Sequence, residues 1–117
     1  MKSEELGERL IDFASNTIKF AIGLEKTATG RHIGGQLARS ATSAGANYEE
    51  ACSAESRADF IHKMQIVLKE LRESLYWMRL IEKANLIQSS NLVPLRKEAG
   101  ELANIVAKSV VTAKSRK

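Results

Sequence analysis

Apolar residues recur every three or four positions through most of the chain, the spacing that lines one side of an α-helix. Four such stretches are separated by short polar or small-residue segments, which predicts helices at about residues 4–26, 31–52, 57–84 and 92–114. Helices of this length joined by short loops are typical of an antiparallel up-and-down bundle. The sequence therefore predicts an all-α fold, with residues 1–117 forming one four-helix-bundle domain.

Several residues mark the ends of these helices. Ser3, followed by two glutamates, predicts the start of the first helix, and a break in the pattern at 26–30 predicts the first turn. Ser56 begins a segment that resembles a capping box before the third helix. Asn85 predicts a left-handed stop after that helix, and Pro94 fixes the start of the fourth helix just before itself.

The second helix carries polar side chains directly beside its apolar stripe. Four of them recur at steps of four, three and four residues and form a polar ladder: Gln36, Ser40, Ser43 and Asn47. The helix is otherwise rich in Ala, Ser and Gly, which allows partner helices to approach closely. Because a buried polar group without a partner costs about 1–3 kcal/mol, we expect the ladder to form hydrogen bonds to neighbouring helices or across a subunit contact.

The third helix has more large apolar residues than one bundle core requires. Three of them project away from the centre of its core face: Ile66, Trp77 and Leu80. The first helix has a ridge at the edge of its core stripe: Ile11, Ile18 and Ile22. Because both helices show this surplus and the polar ladder also needs partners, we interpret it as a subunit interface of a homo-oligomer, where Trp and other large apolar residues are favoured. Its predicted residues are the three on the third helix. The alternative is that Trp77 lies over a groove of the bundle and the isoleucines widen the core.

Another flank of the third helix is basic. Five residues spaced three, four, three and four apart fall within an arc of roughly 80° and form the basic stripe: Lys69, Arg72, Tyr76, Arg79 and Lys83. Cations in a line with one tyrosine could follow a phosphate backbone and stack on an exposed base, with Arg39 and the basic residues 114–117 contributing. The alternative is a solvated face with salt bridges, because Glu73 and Glu82 lie within helical reach of these charges.

The basic excess behind the net charge of +4 lies in the second half of the chain, since twelve of the 18 basic residues follow Ser56. This asymmetry permits nucleic-acid contact. Cys52 is the only cysteine, so the chain has no internal disulfide, which fits a reducing cytosol. The N-terminus lacks the apolar core of a signal peptide, and no apolar run reaches membrane-spanning length. We therefore expect a cytoplasmic protein without membrane contact.

Residues that carry chemistry are not arranged as in known active sites. The chain has no glycine-rich phosphate loop, and His32 and His62 lie on different predicted helices. Asp59 precedes His62 by three residues, but a di-iron bundle needs two such elements and two further inward carboxylates. We therefore expect no enzyme activity, no metal and no cofactor.

The chain resembles the bacterial four helix bundle protein family at residues 36–43, at Ala46, Asn47 and Glu50, and at residues 56–61 and 68–77. Its members include proteins encoded by intervening sequences in the large-subunit (23S) ribosomal RNA gene. The chain is also similar, more distantly, to the accessory variability protein of diversity-generating retroelements. It departs from the family at Ala51, where a glycine often ends the second helix, and this moves the expected turn to about Ser53.

The resemblance implies an antiparallel bundle that assembles into a ring, typically a homopentamer, with a role in nucleic-acid or ribonucleoprotein binding. It implies no enzyme activity. Two functional hypotheses follow. The first is an oligomeric module that binds RNA or DNA through the basic stripe. The second is an interaction scaffold whose oligomer presents a surface to an unidentified protein partner, without nucleic-acid binding.

Overall fold

Four long α-helices account for most of the chain. The computed structural model describes residues 1–87 and 89–116, and within them the helices are α1 (Ser3–Ile22), α2 (Ala28–Cys52), α3 (Arg57–Lys83) and α4 (Leu92–Ser115). A short 3₁₀ turn, Ser89–Asn91, leads into α4. The helices pack up and down into a rod of 50 × 20 × 20 Å. The predicted all-α four-helix fold is therefore confirmed.

Each helix packs against the next one in sequence, so the order along the chain is also the order in space. The helix α2 packs against α1 and α3, and α3 packs against α2 and α4. The contact between α1 and α4 that closes the bundle is much smaller. There the Arg9 guanidinium donates two hydrogen bonds to the Glu98 carboxylate, at 2.6 and 3.0 Å.

The first turn lies at residues 23–27, earlier than the predicted 26–30. The Thr27 hydroxyl caps α2 by accepting a hydrogen bond from the Gly30 N–H at 2.9 Å. Gly30 is a helical residue that passes very close to the turn, because a Cβ at this position would lie 2.1 Å from the Leu24 carbonyl oxygen. The glycine is therefore required by the close approach of α2 to the preceding turn and not by a left-handed backbone conformation.

The prediction that Ser3 caps α1 is wrong. The cap position is Lys2, whose side chain makes no capping hydrogen bond. Ser3 is the first helical residue, and its hydroxyl lies 2.9 Å from the Tyr48 hydroxyl, which itself donates to the Ser3 carbonyl. Ser3 therefore fixes the beginning of α1 to α2, and burial raises the pKa of Tyr48 at this contact.

The other predicted helix ends are confirmed. The Ser56 hydroxyl accepts a hydrogen bond from the Asp59 N–H at 3.0 Å at the start of α3. Asn85 follows that helix with a φ of 52°, the left-handed conformation expected of a stop. The helix α4 begins two residues before Pro94, and α2 ends next to Ser53, where the turn was expected.

The core is a continuous column of apolar side chains between the helices. Every helix contributes to it, and Leu10, Leu37, Leu71 and Leu102 have 0% of their surface exposed. Burial of a large apolar side chain stabilises a fold by roughly 1.5–3 kcal/mol. Within residues 1–87 and 89–116, no helix is both long and apolar enough to cross a membrane.

Candidate nucleic-acid interface

The basic stripe forms one exposed side of α3. Lys69, Arg72, Arg79 and Lys83 are all exposed, and Tyr76 between them has 59% of its surface exposed. None of the four cations forms an ion pair with any residue that the structure describes. At a rise of about 1.5 Å per residue, the stripe extends along roughly 21 Å of the helix. It is a line of positive charge without a salt bridge in the described chain.

The two acidic residues that could neutralise the stripe contact other helices. Glu73 accepts a hydrogen bond from Arg39 on α2 and another, at 3.1 Å, from the Trp77 indole N–H. Glu82 pairs with Arg96 on α4. The pKa of Glu73 lies below its usual range, because the Trp77 N–H and the Arg39 guanidinium stabilise the carboxylate, and the charge of Lys69 adds a smaller effect. Neither acid forms a salt bridge with the stripe.

Arg39, predicted to act together with the stripe, is engaged in the α2–α3 contact. Its guanidinium bridges Glu73 and Glu70, the latter at 3.1 Å. These hydrogen bonds raise the pKa of Arg39, with that to Glu73 contributing most. The Glu70 side chain is only 10% exposed, so Arg39 supplies the positive charge that this carboxylate needs.

Sequence reasoning missed Glu70. Its signal is an acidic residue inside the apolar pattern of α3, between Val67 and Leu71, which are both buried. A carboxylate at such a position requires a cation or several hydrogen-bond donors from a neighbouring helix. The acid in this pattern therefore predicts a cation from a neighbouring helix, and Arg39 on α2 is that cation.

The polar ladder contains hydrogen bonds both between and within helices. Ser40 is buried, and its hydroxyl lies 2.8 Å from that of Ser74 on α3, so this residue bonds to a neighbouring helix. Asn47 donates to the Ser43 carbonyl, at 2.9 Å, and to the Ser43 hydroxyl, at 3.1 Å, both within α2. Gln36 is half-buried. In the described residues, no buried side-chain nitrogen or oxygen lacks a hydrogen-bond partner.

The residues predicted to form a subunit interface are half-buried. They are Ile66, Trp77 and Leu80. Trp77 and Leu80 pack against the hydrophobic core of their own bundle, which is the arrangement of the alternative interpretation. More exposed apolar side chains lie on α1, where Ile11, Ile18 and Ile22 have 60, 42 and 58% of their surface exposed.

A groove of about 920 Å³ runs along the outside of the α1–α2 contact. Small residues, including Gly7, Ala14 and Gly45, line it together with the exposed side chains of Ile11 and Ile18. Its charged lining residues are three acids, Glu4, Glu8 and Glu49, and one cation, Lys19. This surface is mainly apolar with acidic side chains, whereas the basic stripe has the opposite charge.

The basic C-terminal residues and the possible metal ligands do not form a site with the basic stripe in the described residues. Lys114 and Arg116 are exposed, and the Arg116 carbonyl accepts a hydrogen bond from Arg57. Lys117, the last residue of the predicted basic terminus, lies outside the described residues. In the described parts of the chain, no three His, Cys, Asp or Glu side chains are grouped so that they could hold a metal ion.

Comparison with known proteins identifies the family. The sequence profile of the 23S rRNA-intervening sequence proteins matches residues 5–108, from α1 into α4. The crystal structure of a protein with unknown function from the S23 ribosomal protein family of Bacteroides thetaiotaomicron is similar, with 30% sequence identity and a TM-score of 0.87. The match covers 94% of this chain and 98% of that chain. No curated protein matches the sequence. The chain therefore belongs to the 23S rRNA-intervening sequence protein family.

Proposed function

We propose that this protein is a cytoplasmic, non-enzymatic homo-oligomer that binds RNA or DNA through the basic stripe. The observation that carries the proposal is the line of exposed cations on α3 without ion-pair partners in the described residues, beside acids that bind other helices. The name of the similar structure's family refers to a ribosomal protein, which supports a nucleic-acid role.

The stripe is suited to phosphates because no ion pair within the described chain has to break before it binds. Cations that neutralise phosphates release condensed counterions, so binding weakens steeply as salt rises. Each contact contributes about −0.7 to the slope of log K against log salt for a single strand, and about −0.9 for B-DNA. Four contacts therefore give a slope of about −3 to −4 for each copy of the chain.

Self-association is the second part of the proposal, and the resemblance implies a ring of five copies. The exposed isoleucine ridge of α1 offers more apolar surface for such a contact than the half-buried Trp77 and Leu80. In an oligomer the basic stripe is repeated by symmetry. Avidity then raises affinity by roughly 10²–10⁴ without any new type of contact.

The mass of the particle tests self-association. Light scattering at micromolar concentration gives the absolute mass of the wild-type protein and of Ile18→Glu, Trp77→Ala and Val111→Glu. If the subunits meet through α1, Ile18→Glu should lower the particle mass and keep its helix content. If they meet through α3, Trp77→Ala should have this effect. Val111, 67% exposed on α4, is the control. A monomeric wild-type protein contradicts the homo-oligomer.

Charge reversal tests nucleic-acid binding. The protein is purified without nuclease, copurifying nucleic acid is sequenced, and binding to mixed single- and double-stranded probes is measured at about 50 mM salt. We expect Arg72→Glu with Arg79→Glu to weaken binding more than tenfold. The control, Lys97→Glu with Lys108→Glu, changes the net charge equally on exposed positions of α4. Equal losses in the two variants would refute a specific role of the stripe.

The groove between α1 and α2 supports a second candidate function, a scaffold for another protein. An apolar groove between two helices is a common docking place for an amphipathic helix. A partner recovered by pull-down at both low and high salt, with no nucleic acid retained, would favour this function. Loss of that partner in the Ile18→Glu variant, at a particle mass equal to that of the wild-type protein, would place the partner in the groove.

A further inference from the structure

Tyr76 has an unusual position among the aromatic residues of the chain. The residue has 59% of its surface exposed, whereas every Phe, the other Tyr and the Trp are buried or half-buried. Its hydroxyl makes no hydrogen bond to any described residue, so the bundle does not use the polar end of this side chain. Tyr76 therefore presents a flat apolar surface that the fold of one copy leaves uncovered.

The ring of Tyr76 is supported from one side. The Trp77 indole meets it edge to face, with ring centroids 5.2 Å apart and planes at 73°. The indole N–H donates to Glu73, and Glu73 in turn accepts from Arg39 on α2. This series of contacts connects the exposed ring to the α2–α3 contact, so the ring is held in place before any ligand arrives.

Tyr76 also lies at the middle of the basic stripe. Lys69 and Arg72 precede it, and Arg79 and Lys83 follow it. By the rise of the helix, the nearer cations are about 4.5–6 Å away along the axis and the farther ones about 10.5 Å. If the ring of a ligand stacks on Tyr76, cations of the protein therefore lie on both sides of it along the helix and can bind phosphates.

We infer that the basic stripe binds single-stranded nucleic acid, with one unpaired base stacked on Tyr76 and phosphates at the flanking cations. A duplex keeps its bases paired and stacked inside, so its base faces are not available to a side chain on a convex helix surface. This inference rests on the proposed function and adds that the bound nucleic acid is single-stranded.

The experiment uses the intrinsic fluorescence of Trp77, the only tryptophan of the chain, next to the Tyr76 ring. The probes are single-stranded RNA and single-stranded DNA of about 12 nucleotides and the DNA duplex of the same sequence, at about 50 mM salt. We expect both single strands to bind more tightly than the duplex and to change the Trp77 emission. The RNA and DNA arms determine which sugar is preferred.

Variants of Tyr76 separate stacking from charge. We expect Tyr76→Ala and Tyr76→Leu to weaken single-strand binding by about 5- to 150-fold, which corresponds to the stacking of one base. Tyr76→Phe keeps the ring and should retain affinity within about twofold. All three variants should keep the wild-type salt slope, whereas Arg72→Glu with Arg79→Glu lowers it. Because Tyr76 is exposed, circular dichroism should report unchanged helix content.

The possible results distinguish this inference from the proposed function. Nucleic acid that binds equally well to wild type, Tyr76→Ala and Tyr76→Leu overturns the stacked base and leaves the proposed function standing. Tighter binding to the duplex overturns the assignment to single strands. Absence of binding to every probe overturns the proposed function itself.

Discussion

The two sides of α3 use charge in opposite ways. On the side facing α2, Glu70 and Glu73 share the Arg39 guanidinium, and the hydroxyl of Ser74 meets that of Ser40. On the outer side, the cations of the basic stripe form no salt bridge with any described residue. Charges on the paired side should contribute to the stability of the fold, whereas those on the unpaired side remain available to a ligand.

The largest effect on stability should come from removing the cation of the paired side. Arg39→Ala leaves the nearly buried Glu70 carboxylate without its partner, which should lower the free energy of unfolding by about 1–3 kcal/mol. Urea unfolding followed by circular dichroism measures this change.

The matched control is Arg72→Ala, which removes the same type of side chain from the unpaired side. It should change the free energy of unfolding by less than about 0.5 kcal/mol. Equal losses for Arg39→Ala and Arg72→Ala would contradict the difference between the two sides. Adding Glu70→Gln to Arg39→Ala should recover part of the loss, because the unpaired charge is then absent.

A smaller effect is expected at the hydroxyl pair. Ser74→Ala removes the hydroxyl that lies 2.8 Å from the Ser40 hydroxyl and should cost about 1 kcal/mol of unfolding free energy. Combining it with Ser40→Ala should cost clearly less than the sum of the two single changes, since both act on one contact. Additive losses in urea unfolding would show that the hydroxyls act independently.

The pH dependence of stability probes Glu73. Its folded-state pKa lies below the unfolded value, so its contribution is present above the unfolded pKa and is lost as the pH falls through the folded pKa. We expect a loss of less than about 1 kcal/mol below pH ~4, because the side chain is 30% exposed. Trp77→Phe removes the indole N–H that contributes most to this shift, and should flatten the dependence measured by urea unfolding between pH 6 and 3.

The smallest effect on stability should come from the ends of the stripe. Lys69→Ala and Lys83→Ala remove exposed cations without ion pairs in the described chain and should leave the unfolding free energy within about 0.5 kcal/mol. Each should nevertheless lower the slope of log K against log salt by about 0.7 for a single-stranded probe. A loss of stability without a change in slope would assign these lysines to the fold.

The helices and the stripe could be predicted from sequence because each depends on spacing along one helix. The positions of Lys69 and Lys83 on a common flank follow from the helical period alone. The contact between Glu73 and Arg39 could not be predicted in this way. Lys69, within helical reach of Glu73, competes with Arg39 on another helix, and tertiary packing decides which salt bridge forms.

Two further features escaped sequence reasoning for a similar reason. Ser3 has the properties of a helix cap, but Tyr48, 45 positions later, engages its hydroxyl and carbonyl. Gly30 has the properties of a turn residue, but its lack of a side chain serves the close approach to Leu24. In both cases the residue takes part in a packing contact instead of the role that its type usually has, across two helices for Ser3 and between a turn and the next helix for Gly30.

The sparse contact between α1 and α4 has a consequence for the order in which the bundle opens. Because α1 is held mainly by α2, and its other edge meets α4 through the half-exposed Arg9–Glu98 pair, α1 is the helix that can detach while the rest stays folded. Native-state hydrogen exchange should therefore divide the molecule into two cooperative units. Amides of α1 should exchange through a partial opening that added salt makes easier, and the central amides of α2 and α3 should exchange only through global unfolding.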